Sequence, residues 1–297
     1  MATEDISPRF KDFDLWDNAA ALRALWEGQL AAVAGVGAVL ASISDAVDAA
    51  VPRLRGGGRL IYAGAGTSAR IAVQDGAELT PTFGWPRERV AFVIAGGEAA
   101  LLQAIEDAED MGASAQQRIA ELDLGEDDVV LAAAASGETP FTVAAVEAAR
   151  TAGALTISIA NTPGSRLARL GEHAIVVETG PEPIAGSTRL NAGAAQKVTL
   201  NLISTLIMVR LGKVHGGLMV HMRPTNAKLR RRAQRMVQAI VKCDDAAAQA
   251  ALQAAGHDIK LAVLIAGGME REAGRTLLAK HDGNLRLALA EAAPQTP

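Results

Sequence analysis

The chain has 297 residues, 49% apolar and 3% aromatic, with a net charge of −4 and one cysteine, Cys243. That length allows one large α/β domain with a smaller partner, and the apolar share supplies a core built from Ala, Val, Leu and Ile. The acidic balance gives no electrostatic reason to expect nucleic acid, and a lone cysteine excludes a disulfide framework and fits a reducing compartment.

The first residues, MATEDISPRFKDFDLW, are mixed in charge and lack the apolar run of a signal peptide. The longest apolar runs read as shorter than the ~20 residues that span a bilayer. A soluble cytoplasmic protein is expected.

Residues 15–54 carry Leu15, Ala19, Leu22 and Leu25, then Ile43, Val47 and Val51, at helical spacing. GGG at 56–58 ends that pattern, and RLIYAG (59–64) reads as a buried strand. VAFVIAG (90–96) is strand-like, and EAALLQAIEDAEDMGA (98–113) is expected to be helical. DVVLAAAAS (128–136), ALTISIAN (154–161) and HAIVVET (173–179) are further strands, with a helix over FTVAAVEAARTAG (141–153) and a long apolar one at about 190–211. Strands that are apolar throughout and alternate with helices imply a mainly parallel sheet covered on both faces, a three-layer α/β sandwich. Residues 225–297 show no strand signal. There LQAAGHDIKLAVL (252–264) and LLAKHDGNLRLAL (277–289) resemble each other, which suggests an internal helical repeat. The expected organisation is an N-terminal helical segment (1–54), an α/β domain (55–224) and a C-terminal helical module (225–297).

GAGTSAR (64–70) follows the first strand and opens a helix. Unpaired N–H groups at a helix N-terminus, with the dipole behind them, attract an anion. Gly66 allows close backbone approach, and Thr67 and Ser68 add hydroxyls. The alternative is a plain N-cap. The arrangement recurs at Ser136, Gly137 and Thr139 in SGETP, and a third hydroxyl pair, Ser187 and Thr188, stands before the long helix. No GK[ST] follows the first loop, and no acidic residue ends the next strand, so neither a Walker nor a dinucleotide fingerprint is present. Donors without a catalytic lysine suit a phosphate that is gripped rather than transferred.

These motifs are collinear. With DGAELTPTFG (75–84), IAGGEAAL (94–101), EDAED (106–110), GSTRLNAGAAQK (186–197) and LGKVHGGLMV (211–220), the chain resembles the N-acetylmuramic acid 6-phosphate etherases, members of the sugar isomerase (SIS) phosphosugar-binding superfamily. The family pattern reads GAGTSGR, DASE and SGRTP where this chain has Ala69, Gly76-Ala77 and Glu138. Glu138 places a negative charge beside a phosphate loop. The resemblance implies an SIS-type fold and cleavage of the lactyl ether of a phosphorylated amino sugar, without metal or redox cofactor. By the same resemblance Glu78 is the general acid at the ether oxygen and Glu109 the base at C2.

On its own, Glu109 lies in a charge run of the kind that forms a solvated helix face, whereas Glu78 follows an apolar stretch and is expected to be partly buried. Ser68 and Glu78 are ten residues apart, about 15 Å on a straight helix and longer than a sugar phosphate. Either the helix breaks near Asp75-Gly76, or Glu78 serves a neighbouring subunit's site in a homodimer. The second is favoured. His215 and His221 have no carboxylate at ligand spacing, so no metal site is expected. Arg189 and Lys197 suit either phosphate contact or a helix surface. Trp16, Trp26 and Trp85 read as core or dimer contacts. Two rivals keep the fold: an aldose–ketose phosphosugar isomerase, and a non-catalytic phosphosugar-sensing regulator. Both glutamates are present, which favours catalysis, and the acidic N-terminal segment does not suit a DNA-binding regulator.

Overall fold

The computed structural model describes residues 2–293. The chain divides into two compact units, 1–76 with 88–205, and 77–87 with 206–297. The second unit thus starts before the helical module expected at 225 and takes in a short stretch from the first half of the chain.

The first unit opens with α1 (Asn18–Gly35) and α2 (Leu40–Arg55), separated by a 3-10 turn at Val36–Val39. Asp17 caps α1 by accepting the Ala20 N–H. β1 (Leu60–Gly64) leads into α3 (Gly66–Phe83), and β2 (Val90–Ile94) follows. Next come α4 (Gly112–Glu121), β3 (Val129–Ala134), α5 (Pro140–Thr151), β4 (Leu155–Ala160), α6 (Arg166–Leu170), β5 (His173–Val176) and α7 (Asn191–Arg210). The five strands form one parallel sheet in the order β2-β1-β3-β4-β5.

β1, β3 and β4 are buried at every position, as a parallel sheet covered on both faces requires. Ile61, Ala63, Val130, Ala132 and Ala134 pack with Ala115 and Ile119 of α4 and Phe141, Ala145 and Ala149 of α5. Alternate residues face the other way, where α2 packs on β3, β4 and β5 and Tyr62 reaches α3. This is the three-layer sandwich the sequence implied.

The expected helix over 98–113 does not form. Residues 98–101 and 108–110 are 3-10 turns, and α4 begins only at Gly112. Two causes are visible. Gly96 and Gly97 have positive φ, and the backbone at Gly96 lies so close to Ile105 that a Cβ there would come 2.9 Å from the Ile105 Cβ. The guanidinium of Arg70 also takes the carbonyls of Ala100 and Gln103, at 2.9 and 3.3 Å.

Two helical stretches, Asn18–Arg55 and Asn191–Arg210, reach the length and hydropathy of a membrane span, against the expectation from apolar runs. The first is interrupted by the turn at Val36–Val39. The second is α7, whose Ala192, Ala195, Leu200 and Ile203 are core residues.

The second unit contains α8 (Ala227–Val241), α9 (Asp245–Ala254), α10 (Ile259–Ala266), α11 (Arg271–Lys280) and α12 (Leu285–Ala292) around a separate core of Val237, Leu252, Leu261, Leu264 and Leu285. The two similar segments cap their second helices alike: Asp258 accepts from the N–H groups of Lys260 and Leu261, and Asn284 from those of Arg286 and Leu287.

At the amino ends of β1 and β3, Asp128 accepts four hydrogen bonds, from the Arg59 backbone N–H (2.8 Å), Arg59 Nε (3.0 Å), an Arg59 terminal nitrogen (2.7 Å) and the Gly125 N–H (3.0 Å). Burial pushes its carboxyl up, but these bonds outweigh burial and hold it below the usual carboxylate value. A depressed folded-state pKa gives stability that is present above the unfolded value of 3.8 and lost as pH falls through the folded one. Urea melts of Asp128→Asn against wild type should show a large stability gap at pH 6 that narrows steadily below about pH 4. A gap independent of pH would mean that the charge is not what Asp128 contributes.

Candidate active site

β1 is followed in sequence by β2 on one side of it and then by β3 on the other, so the sheet order reverses between β1 and β3. In an open parallel sheet the crevice at such a reversal, outside the carboxyl ends of the strands, is where ligands bind. Both sequence-predicted phosphate loops lie there: residues 65–68 between β1 and α3, and 135–139 between β3 and α5.

In the first loop Gly66 has φ +53°, a left-handed conformation that favours glycine. Gly64 lets α3 begin hard against β1: a Cβ there would come 3.2 Å from the Ala69 N and 3.1 Å from the Ala133 carbonyl oxygen. Ser68 is buried and Thr67 half-buried. In the second loop Gly137 has φ +68°, and an added Cβ would strike the Ser165 Oγ at 2.1 Å. The Ser136 Oγ accepts the Glu138 N–H at 3.2 Å. Thr139 occupies the N-cap of α5 but makes no capping bond with its side chain, and Pro140 supplies the first helical residue. The Thr139 hydroxyl is therefore not spent on its own helix.

Two departures from the family pattern have structural reasons. Gly76 faces the rings of Phe92 and Tyr62, and a Cβ would come within 2.7 and 2.8 Å of them. Glu138 turns away from the loop: its Oε1 accepts the Arg166 N–H at 2.8 Å and so caps α6. Its charge is engaged by α6 instead of facing a phosphate.

The third loop is built differently. Glu182, 1% exposed, accepts the N–H groups of Asn191 and Ala192, both at 2.9 Å. Burial holds its carboxyl above the usual value despite those two bonds, and Glu4 adds to the rise. The N-terminus of α7 is thus already occupied, and Ser187 and Thr188 offer hydroxyls without a free helix end. Gly193 brings α7 beside the first loop, since a Cβ there would lie 3.6 Å from Thr67 Cγ2 and 3.5 Å from Ile71 Cδ1. Arg189 is exposed, and Lys197 is exposed and donates to Asn201 on its own helix.

Two residues that the sequence reading passed over hold the loops in place. Asp75, 6% exposed, accepts from Tyr62 Oη (2.8 Å), Ser204 Oγ (3.0 Å) and the Asn201 amide, tying α3 to β1 and α7. Burial, and then the Asp75 charge, push the Tyr62 phenol up, so it stays a donor. Part of the signal was available: Tyr62 is the sole tyrosine of the chain, at the centre of an apolar strand. Arg70, also on α3, tethers residues 100–103, the segment that leads to Glu109.

Glu109 is exposed in the 3-10 turn Ala108–Asp110 of the first unit, not on a helix face. Glu78 is on α3, in the stretch grouped with the second unit. It is exposed in the single chain, against the expectation of partial burial: on α3 the neighbouring Leu79 takes the buried position, at 2% exposure. α3 is unbroken from Gly66 to Phe83, which removes the early-break alternative. Glu78 is ten residues from Ser68 along one helix, a rise of about 15 Å. Trp85 is core, while Trp26 is 64% exposed.

Family models for the glucokinase regulatory protein N-terminal SIS domain and the SIS domain match residues 42–150 and 101–207. The chain is 47% identical over 290 residues to an N-acetylmuramic acid 6-phosphate etherase of Deinococcus radiodurans, covering 97% of this chain and 95% of that one. The chain belongs to the N-acetylmuramic acid 6-phosphate etherase family. An etherase of Rubrobacter xylanophilus is 44% identical, covering 98% and 96%, and one of Salmonella paratyphi B is 41% identical, covering 97% and 98%. Among solved structures, a protein of Bacteroides fragilis described as a phosphosugar isomerase involved in capsule formation matches with a TM-score of 0.50 at 20% identity, over 68% of this chain and 99% of that one. That likeness is one of fold. With its etherase relatives the chain shares nearly its whole length, so the etherase family extends beyond the SIS sheet to both helical ends.

Arg70→Met is expected to leave the chain folded while amide hydrogen exchange across residues 98–107 speeds by roughly tenfold or more, because two carbonyls lose their donor. Unchanged exchange there would remove Arg70 as the tether.

Proposed function

We propose that the protein cleaves the lactyl ether of N-acetylmuramic acid 6-phosphate, releasing D-lactate and leaving N-acetylglucosamine 6-phosphate. The observation that carries this reading is the phosphate cradle at the reversal between β1 and β3, built of backbone N–H groups and the hydroxyls of Thr67, Ser68, Ser136 and Thr139, in a chain of the etherase family that has both Glu78 and Glu109. Gly66 and Gly137 give the backbone room to approach the phosphate, and Ser187 adds a hydroxyl from the third loop.

The open-chain sugar has an aldehyde, and the lactyl ether sits on the carbon β to it. Glu109 takes the C2 proton, the C3–O bond breaks, and Glu78 gives its proton to the departing lactate oxygen. The product is an α,β-unsaturated aldehyde. Water then adds at C3, losing a proton to the Glu78 carboxylate, and Glu109 returns its proton to C2. Each carboxyl ends as it began, so two glutamates in opposite protonation states suffice.

The distance along α3 supports an active site shared between two subunits, with Glu78 serving the partner's cradle. An apolar stripe on α1 supports the homodimer: Leu22, Trp26, Leu30 and Val33 lie at helical spacing and are 66, 64, 52 and 36% exposed. Contiguous apolar surface of this kind marks an interface, and a second copy of the chain covers it by self-complementary packing. A reducing cytoplasm suits the lone, half-buried Cys243.

Purified protein should release D-lactate from N-acetylmuramic acid 6-phosphate, and Glu78→Gln and Glu109→Gln should each lower turnover by about 10²–10⁴-fold with little change in melting temperature. Wild-type protein that binds the phosphosugar but yields no lactate would overturn the etherase reading. Mixing Glu78→Ala with Glu109→Ala should restore partial activity as hybrid dimers form. Confirmed subunit exchange without recovery would place both glutamates in one chain's site.

A further inference from the structure

The second unit has a cavity of about 520 Å³ lined by its own residues, among them His221, Arg223, Thr225, His257, Asp258 and Lys260. None of these is used in the reaction above. Lys260 interrupts the apolar run of α10, and its ammonium donates to His221 Nε2 at 2.9 Å. Both side chains are partly sunk in the unit. Burial, then Lys260 and Lys213, hold the His221 imidazole down to about 3, so it is neutral and acts as acceptor. Lys260 thus spends one of three ammonium donors on a neutral partner that does not cancel its charge.

The fold makes room for this pair. Gly283 leaves the space that a Cβ would fill at 2.9 Å from Lys260 Nζ and 3.5 Å from His221 Nε2. Gly84 passes so close to the His221 carbonyl that a Cβ would come within 2.5 Å of it. His257, a non-glycine residue at φ +67°, follows Gly256 at φ +62° on the cavity wall, and strain of this kind clusters where ligands bind. Asp258 is the one carboxylate among the lining residues, and its Oδ1 is spent on the N–H groups of Lys260 and Leu261. Arg223 adds a second basic side chain, a permanent cation exposed at the rim. Two cations against one engaged carboxylate, in a cleft large enough for a hexose phosphate, suit a phosphoryl group.

We propose that this cleft is a second anion site, in which Lys260 and Arg223 hold a phosphate or a phosphate monoester. The site is separate in composition from the cradle between β1 and β3, so its test does not depend on etherase activity. Full-length Thr67→Val/Ser68→Ala/Ser136→Ala/Thr139→Val protein, with the four cradle hydroxyls removed, is titrated calorimetrically with inorganic phosphate and with N-acetylglucosamine 6-phosphate. One saturable site per chain is expected, weakened about tenfold or more by Lys260→Met and by Arg223→Gln and further by added salt. Tighter binding of the sugar phosphate identifies a monoester as the ligand, and tighter binding of the free ion identifies phosphate. Arg223 is exposed, so its variant stays informative if Lys260→Met fails to fold. The proposal is overturned if the cradle-silenced protein shows no saturable binding, or if binding persists unchanged in both Lys260→Met and Arg223→Gln.

Discussion

The parallel pairing of β1 with β2 on one side and β3 on the other is the constraint from which the site follows. A parallel strand has to return to the same edge of the sheet before it can pair again, so each strand is followed by a helix that starts at the carboxyl edge. Because the order reverses at β1, the helices after β1 and β3 diverge to opposite faces: α3 lies on the side of Tyr62, and α5 on the side of Ile61 and Val130. Their N-termini are left flanking a gap. Unpaired N–H groups at two helix ends flank that gap, and the hydroxyls of the two loops complete the set of donors a phosphate needs.

Charges near the cradle are arranged so that they do not oppose it. Glu138 and Glu182 would both repel a phosphate if free, and each is bound to the N–H groups of a helix, α6 in one case and α7 in the other. Asp75 is also buried and is held by three donors from β1 and α7. Within the loops the donors are hydroxyls and amides, which grip a phosphate without activating it for transfer. This suits a substrate whose reaction takes place at C2 and C3, away from the phosphate. The carboxylates given chemical roles, Glu78 and Glu109, are the ones left exposed.

Local pattern was sufficient for the strands and for the long helices α5 and α7, because a buried strand must be apolar at every position and glycines mark where it stops. It failed at 98–113. There the residues favour a helix, but the close approach of Gly96 to Ile105 and the pull of Arg70 on two carbonyls some thirty residues away hold the segment in turns. The burial of Glu78 failed for a related reason. Which side of a helix faces the core depends on its neighbours, and on α3 it is Leu79 that packs inward. The capping of α6 by Glu138 was likewise invisible to pattern, since its partner, the Arg166 N–H, is 28 residues away.

By itself the sequence determined the alternation of strand and helix, the two glycine-hydroxyl loops and the family, because these rest on local backbone preference and on motifs in a fixed order. Only the tertiary structure decided what each polar side chain does. Capping, tethering and burial are satisfied by partners far apart in the chain, and a carboxylate or an arginine carries no local mark of the partner it will find. The His221–Lys260 pair illustrates the same division: two residues 39 apart, unremarkable in sequence, meet because Gly283 leaves room for them.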